Sequence, residues 1–191
     1  MWDDETTALS KAIPMSKQPE LFREYLQKIA GEQEAPRIVR QAVEIIHAGT
    51  VDFTTNFYIL RSNRMIQYTV SALLGFLAKQ SAKVSKFGTT LTYYKCNALN
   101  FSKIPAILVF GDSAVDTGNN NYIPTIFKAN FPPYGMNYPG HIATGRHSDG
   151  KLIPDLLVSM QGAKNAVPPF LQPNLSDDEL RTGVCFASAG A

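Results

Sequence analysis

The feature that most constrains this chain is an uninterrupted apolar run, Pro-Ala-Ile-Leu-Val-Phe at 105–110, closed by Gly111. A strand with one face in water alternates polar and apolar residues. A continuous apolar run of strand length, bounded by proline and glycine, is what a central strand of a parallel sheet looks like. Other strand-like and helical patterns alternate along the chain, which argues an α/β fold.

Two well-patterned blocks flank a poor join. In the first block, residues 1–82, Ser16 and Pro19 mark a helix start, with proline tolerated in the first turn. Leu21, Phe22, Tyr25, Leu26 and Ile29 follow at helical spacing, and Gly31 ends the run. A second helix is predicted over 34–41. Residues 42–48 (AVEIIHA) read as a short buried strand leading into a loop at 49–53, and 65–82 as another amphipathic helix. Residues 83–103 sustain neither period and read as a linker. The second block, 104–191, continues from the apolar run into a turn-rich loop at 111–121. It then gives a helix over 151–160 with Leu152, Leu156 and Leu157 on one side, an extended stretch at 168–171, a helical turn at 177–181 with Ser176 as N-cap, and a final strand at 183–187.

Composition excludes several classes. The 191 residues are 45% hydrophobic and 18% charged, which suits a soluble globular chain, and a formal charge of +2 gives no argument for nucleic acid or an anionic membrane. Tyr93-Tyr94-Lys95 sits in no nucleic-acid-binding motif. No stretch approaches the roughly 20 apolar residues of a membrane span. The start, Met-Trp-Asp-Asp-Glu, lacks the basic and apolar regions of a secretory signal, so a cytoplasmic location is the expectation. Cys96 and Cys185 are too few for a disulfide framework or a metal site; one bridge or two unpaired thiols both fit, and thiols are the simpler reading. No phosphate loop or zinc spacing occurs, and no cofactor or metal is expected.

Ser113 stands three residues beyond the apolar run, and open α/β sheets bind ligands at the carboxyl ends of their strands. By pattern alone Gly111-Asp112-Ser113 is ordinary turn chemistry, with Asp112 and Asp116 bonding nearby backbone N–H groups rather than forming a carboxylate pair or metal site. Asn119, Asn120 and Asn121 read as shaping the same loop.

Longer stretches change that weighting. Residues 104–122 read IPAILVFGDSAVDTGNNNY. They are followed in order by FPPYG (131–135), YPGHIATGRHSDGKLIPD (138–155), VPPFLQPNLSD (167–177) and GVCFASAGA (183–191). Together they resemble the N-terminal region of the plant GDSL esterase/lipases, of the SGNH hydrolase superfamily. The first block resembles that family's middle region, through DDETTALSKAIPMSKQPELFREYL (3–26) and AVEIIHAGTVDFTTNFY (42–58). In the family the middle region follows the FASAG segment, so the pieces stand here in permuted order. The chain therefore reads as a truncated, rearranged pair of family fragments, or as the product of a gene-prediction artefact. The resemblance implies an incomplete three-layer α/β/α SGNH-hydrolase-like fold with a parallel sheet. It also implies a serine esterase or lipase acting on small ester or lipid substrates, usually secreted, with Ser113 as nucleophile and the N–H groups of Ser113 and Gly190 facing the oxyanion.

Three departures bear on activity. The family's Gly-x-Asn-Asp is Gly49-Thr50-Val51-Asp52 here, so Val51 replaces an oxyanion-donating asparagine. The family's Asp-x-x-His motif, source of the base and its orienting acid, is absent. Of the three histidines, His47 lies in the strand-like run with Glu44 three residues earlier; positions 44 and 47 of a strand face opposite sides, so His47 reads as structural. His141 belongs to a Pro-Gly-His loop, and His147 stands where the family usually has phenylalanine. The third departure is the family's C-terminal half, which completes the sheet; without it, uncovered surfaces invite a partner chain. The chain alone is therefore expected to be inactive, a lineage hydrolase or a non-catalytic fragment binding an acyl ligand or a partner.

Overall fold

The computed structural model describes residues 6–29, 35–47 and 105–191. The loop at 49–53 with Val51, the helix expected over 65–82, the linker at 83–103, Gly31 and Cys96 lie outside the described residues. The first block supplies α1 (Thr6–Ser10), α2 (Gln18–Ile29), α3 (Ala35–Gln41) and β1 (Val43–His47). The second supplies β2 (Ile107–Gly111), a 3-10 turn over Asn119–Tyr122, α4 (Ile153–Met160) and α5 (Asp177–Arg181).

The apolar run is β2, buried at every position as its composition requires. It pairs in parallel with β1, in a register that sets Val43 beside Ile107 and His47 beside Gly111. Residues 182–188 run along its other side. Val109 donates to the Val184 carbonyl at 3.1 Å, Phe186 donates to the Val109 carbonyl at 2.7 Å, and Ser188 donates to the Gly111 carbonyl at 3.0 Å. The expected final strand is thus recovered as a hydrogen-bonded parallel segment, but only as isolated bridges, Cys185 to Val109 on one side and to Pro169 on the other. Pro168 and Pro169 lack the N–H groups of a regular ladder, which limits the pairing there.

Side chains alternate across this small sheet, so each face takes a different helix. On one face, Leu108, Phe110, Val184 and Phe186 pack with Phe22, Tyr25 and Ile29 of α2, and with Leu180 of α5. This core is aromatic: Phe110 and Phe186 stack at 4.9 Å, and Phe22 meets Phe186 edge-on at 5.8 Å. The Tyr25 hydroxyl, fully buried, donates to the Leu180 carbonyl at 2.9 Å. On the other face, Ile107, Val109, Cys185 and Ala187 pack with Val158 of α4. Cys185 is a free, buried thiol, and burial pushes it up to about 12, so it is a packing residue rather than a nucleophile.

The local predictions for α2, α3 and β1 hold to within a residue or two at their described ends. Ser176 caps α5 as expected: its hydroxyl accepts from the Glu179 N–H at 3.3 Å, and the Glu179 carboxylate accepts from the Ser176 N–H at 2.9 Å. Two details differ. The helix expected from 151 begins at Ile153, and its buried residues are Pro154, Asp155 and Val158, whereas Leu156 is exposed. Asp155 is turned inward onto a buried arginine, while Leu152 and Leu157 still face the core. The second is the 3-10 turn at 119–122, inside and just beyond the stretch read as loop.

Candidate active site around the turn after β2

Ser113 follows β2 at the carboxyl end of the sheet and is half-buried. Its approach is fixed by Gly111. The Gly111 N–H donates to Gln18 Oε1 and the Gln18 amide donates back to the Gly111 carbonyl, both at 2.8 Å. The Gln18 side chain is fully buried, so α2's first residue pins the end of β2 through both backbone groups of Gly111. Gly111 adopts φ +147°, and a Cβ there would lie 2.2 Å from the His47 carbonyl oxygen, so only glycine fits beside β1.

Gly190 occupies the same end of the sheet. Ser188 is bonded to Gly111, and Ser113 and Gly190 each follow two residues later on adjacent parallel segments. Asp116 joins the two loops, accepting from Gly118 and Asn119 at 2.8 Å each and from Ala189 at 3.0 Å. Burial pushes its carboxyl up to about 6, against the pull of those donors. Asn119 donates to the carbonyls of Cys185 and Ala187, and Asn120 to those of Ala189 and Phe127. Ser188 Oγ donates to Asn120 and accepts from the Ile13 N–H at 2.9 Å, tying in the first block. Gly190 has φ +92°, and a Cβ would lie 2.4 Å from the Phe127 ring. The loop roles expected of Asp116, Asn119 and Asn120 are what these bonds describe.

Behind this end sits Arg146. Its guanidinium forks onto Asp155 at 2.7 and 2.8 Å and donates to the carbonyls of Thr117 and Val167. The pair braces the turn after Ser113 against α4.

The histidines behave differently from one another. His141, at φ 55°, bonds the Met136 carbonyl within its loop. His147 packs edge-on to Tyr134 at 5.5 Å, and its Nδ1 is buried without a partner among the described residues. Burial lowers its proton affinity below the ordinary value of 6.5. The unfolded chain therefore binds that proton more readily, and stability drains away as pH falls through about 6.5. Replacing His147 with phenylalanine is expected to remove this acid loss. The check is a comparison of melting temperatures at pH 7.5 and 5, in which the variant falls less than the parent.

His47 was read from sequence as structural because Glu44 could not reach it. The structure agrees about Glu44: Val43 and Ile45 pack with the cluster on one face and Ile46 with the other, and burial pushes Glu44 up to about 7. The partner of His47 comes instead from the turn just after β2. His47 Nδ1 lies 2.9 Å from Asp112 Oδ1, and that same oxygen accepts from the Ala114 N–H at 3.0 Å. Asp112's side chain is 2% exposed and His47's 42%. The hydrogen bond, opposed by partial burial, raises the proton affinity of His47. Among the described residues, no group of His, Cys, Asp and Glu is arranged to hold a metal ion, and no helix is long and apolar enough to cross a membrane.

Known proteins similar to this chain share about half of it. Three GDSL esterase/lipases of Arabidopsis thaliana are 63% identical over 108 residues, 56% over 110 and 60% over 96. These matches cover 56%, 55% and 50% of this chain. Over that matched half, the chain is similar to the plant GDSL esterase/lipases. It spans only 30%, 31% and 27% of the length of these curated relatives. No family model matches it and no solved structure is similar to it. The chain has β2, the Gly-Asp-Ser turn and the Ala-Gly loop together at one end of its parallel sheet.

Proposed function

We propose that this chain carries the serine ester hydrolase chemistry of the GDSL lineage, in an incomplete three-layer α/β/α SGNH-hydrolase fold. In this reading Ser113 is the nucleophile, and the N–H groups of Ser113 and Gly190 face the oxyanion of an ester or lipid substrate. No cofactor is required, because acyl transfer to a serine needs only a base and charge stabilisation. The carrying observation is that Ser113 and Gly190 follow bonded residues, Gly111 and Ser188, on adjacent parallel segments. The helices on both sheet faces support the layered fold.

Turnover by the isolated chain is expected to be weak. Loss of an oxyanion donor, as at Val51, typically costs on the order of a hundred- to a thousandfold. That no Asp-x-x-His stands among these residues favours a second reading, a non-catalytic fragment that binds an acyl ligand or a partner chain. Hydrolysis of a short-chain nitrophenyl ester by the purified chain separates the two. Slow hydrolysis that vanishes in Ser113→Ala supports the enzyme; a folded chain without Ser113-dependent hydrolysis supports the second reading.

A further inference from the structure

We infer that His47, held by Asp112, is the general base for Ser113 in this chain, taking the place of the absent Asp-x-x-His motif. The inference rests on the reading of Ser113 as nucleophile. Three observations carry it. The register sets His47 beside Gly111, two residues before Ser113. One carboxylate oxygen, Asp112 Oδ1, contacts both the His47 ring at 2.9 Å and the Ala114 N–H at 3.0 Å, so the ring lies against the turn that has Ser113 at its middle. Asp112 is almost fully buried and its Oδ2 has no partner among the described residues, so the imidazole and the Ala114 N–H, both at Oδ1, are its described partners.

The chemistry follows from the contact. A carboxylate only accepts, so neutral His47 carries its proton on Nδ1 and presents a lone pair at Nε2. That is the tautomer a serine's base needs, and the buried carboxylate stabilises the imidazolium that forms. Nε2 makes no hydrogen bond among the described residues, and the side chain is 42% exposed. In the step proposed, Ser113 Oγ bonds the ester carbonyl carbon as its proton passes to His47 Nε2. The tetrahedral species collapses, the carbon–alkoxy bond breaks, and the departing oxygen takes that proton to leave as the alcohol. Water then adds to acyl-Ser113 with His47 again accepting its proton, and the carboxylic acid is released as Ser113 recovers a proton. His47 is a catalytic residue in this scheme; Asp112 is a positioning residue.

The test uses the full chain, a fluorophosphonate probe and nitrogen NMR of the histidines. Labelling of Ser113 by the probe is expected to slow by about a hundredfold or more in His47→Gln, the usual contribution of a positioned base, with circular dichroism unchanged. In the parent, the labelling rate should follow the NMR titration of His47, and Asp112→Asn should move both to lower pH together. Neutral His47 should show its proton on Nδ1. Labelling that is lost in Ser113→Ala but unchanged in His47→Gln overturns the inference and leaves Ser113 as nucleophile. So does a proton found on Nε2. A folded parent whose Ser113 is never labelled defeats the nucleophile reading, and this inference with it. If His47→Gln does not fold, the parent's tautomer and the Asp112→Asn shift decide the matter.

Discussion

Arg146→Ala is expected to destabilise the chain by about 3–5 kcal/mol, the usual cost of leaving one buried charge without its partner. Arg146 is 5% exposed and Asp155 0%. The fork between them is only part of what is lost. Asp155 also accepts from the N–H groups of Leu152 and Val167 at 2.9 Å each, and Arg146 satisfies the carbonyls of Thr117 and Val167. Removing the arginine leaves a desolvated carboxylate and two carbonyls short of a donor. Against a total stability of about 5–15 kcal/mol this is a large share. Arg146→Lys retains the charge but not the planar fork, so it should also lose stability. Urea denaturation midpoints give the measurement. Arg146→Met with Asp155→Leu should cost less than the sum of the two single changes, since the second removes the charge the first strands. A near-zero effect of Arg146→Ala would mean that the pair is not buried in solution.

Phe22→Ala should cost a similar amount, about 3–5 kcal/mol, through lost burial and the cavity left behind. Phe22 is 1% exposed and its ring meets Tyr25 and Phe110 at 5.9 Å and Phe186 at 5.8 Å. Two of those partners belong to the second block. The loss should therefore appear there too: amide exchange at 184–186 should quicken along with exchange in α2. Exchange that quickens in α2 alone would show that the first block is not part of a shared core.

Much of the local structure was legible in the residues. The apolar run at 105–110 announced a strand buried on both faces, because nothing polar interrupts it. Leu21, Phe22, Tyr25 and Ile29 announced α2 by their spacing, and Ser176 with Glu179 announced a capped turn. The rotation of α4 was legible only in part: Leu152 and Leu157 face the core as their spacing suggested, but Leu156 is exposed and Asp155 is buried. Hydropathy cannot weigh an aspartate that is buried because an arginine nine residues earlier answers it.

The site divides in the same way. The Gly-Asp-Ser turn and the Ala-Gly loop could be found by motif. His47 could not, since its partner is 65 residues away in the chain, as Gln18 is 93 from Gly111. A search for histidines beside the ends of paired strands would have raised it, once β1 and β2 were placed in register. By itself the sequence determined the local elements and the likeness to the GDSL esterase/lipases, since those depend on local pattern. Only the tertiary structure decided that a histidine stands against the turn carrying Ser113, because that contact is made by parallel register and side-chain hydrogen bonding, which leave no period in the chain.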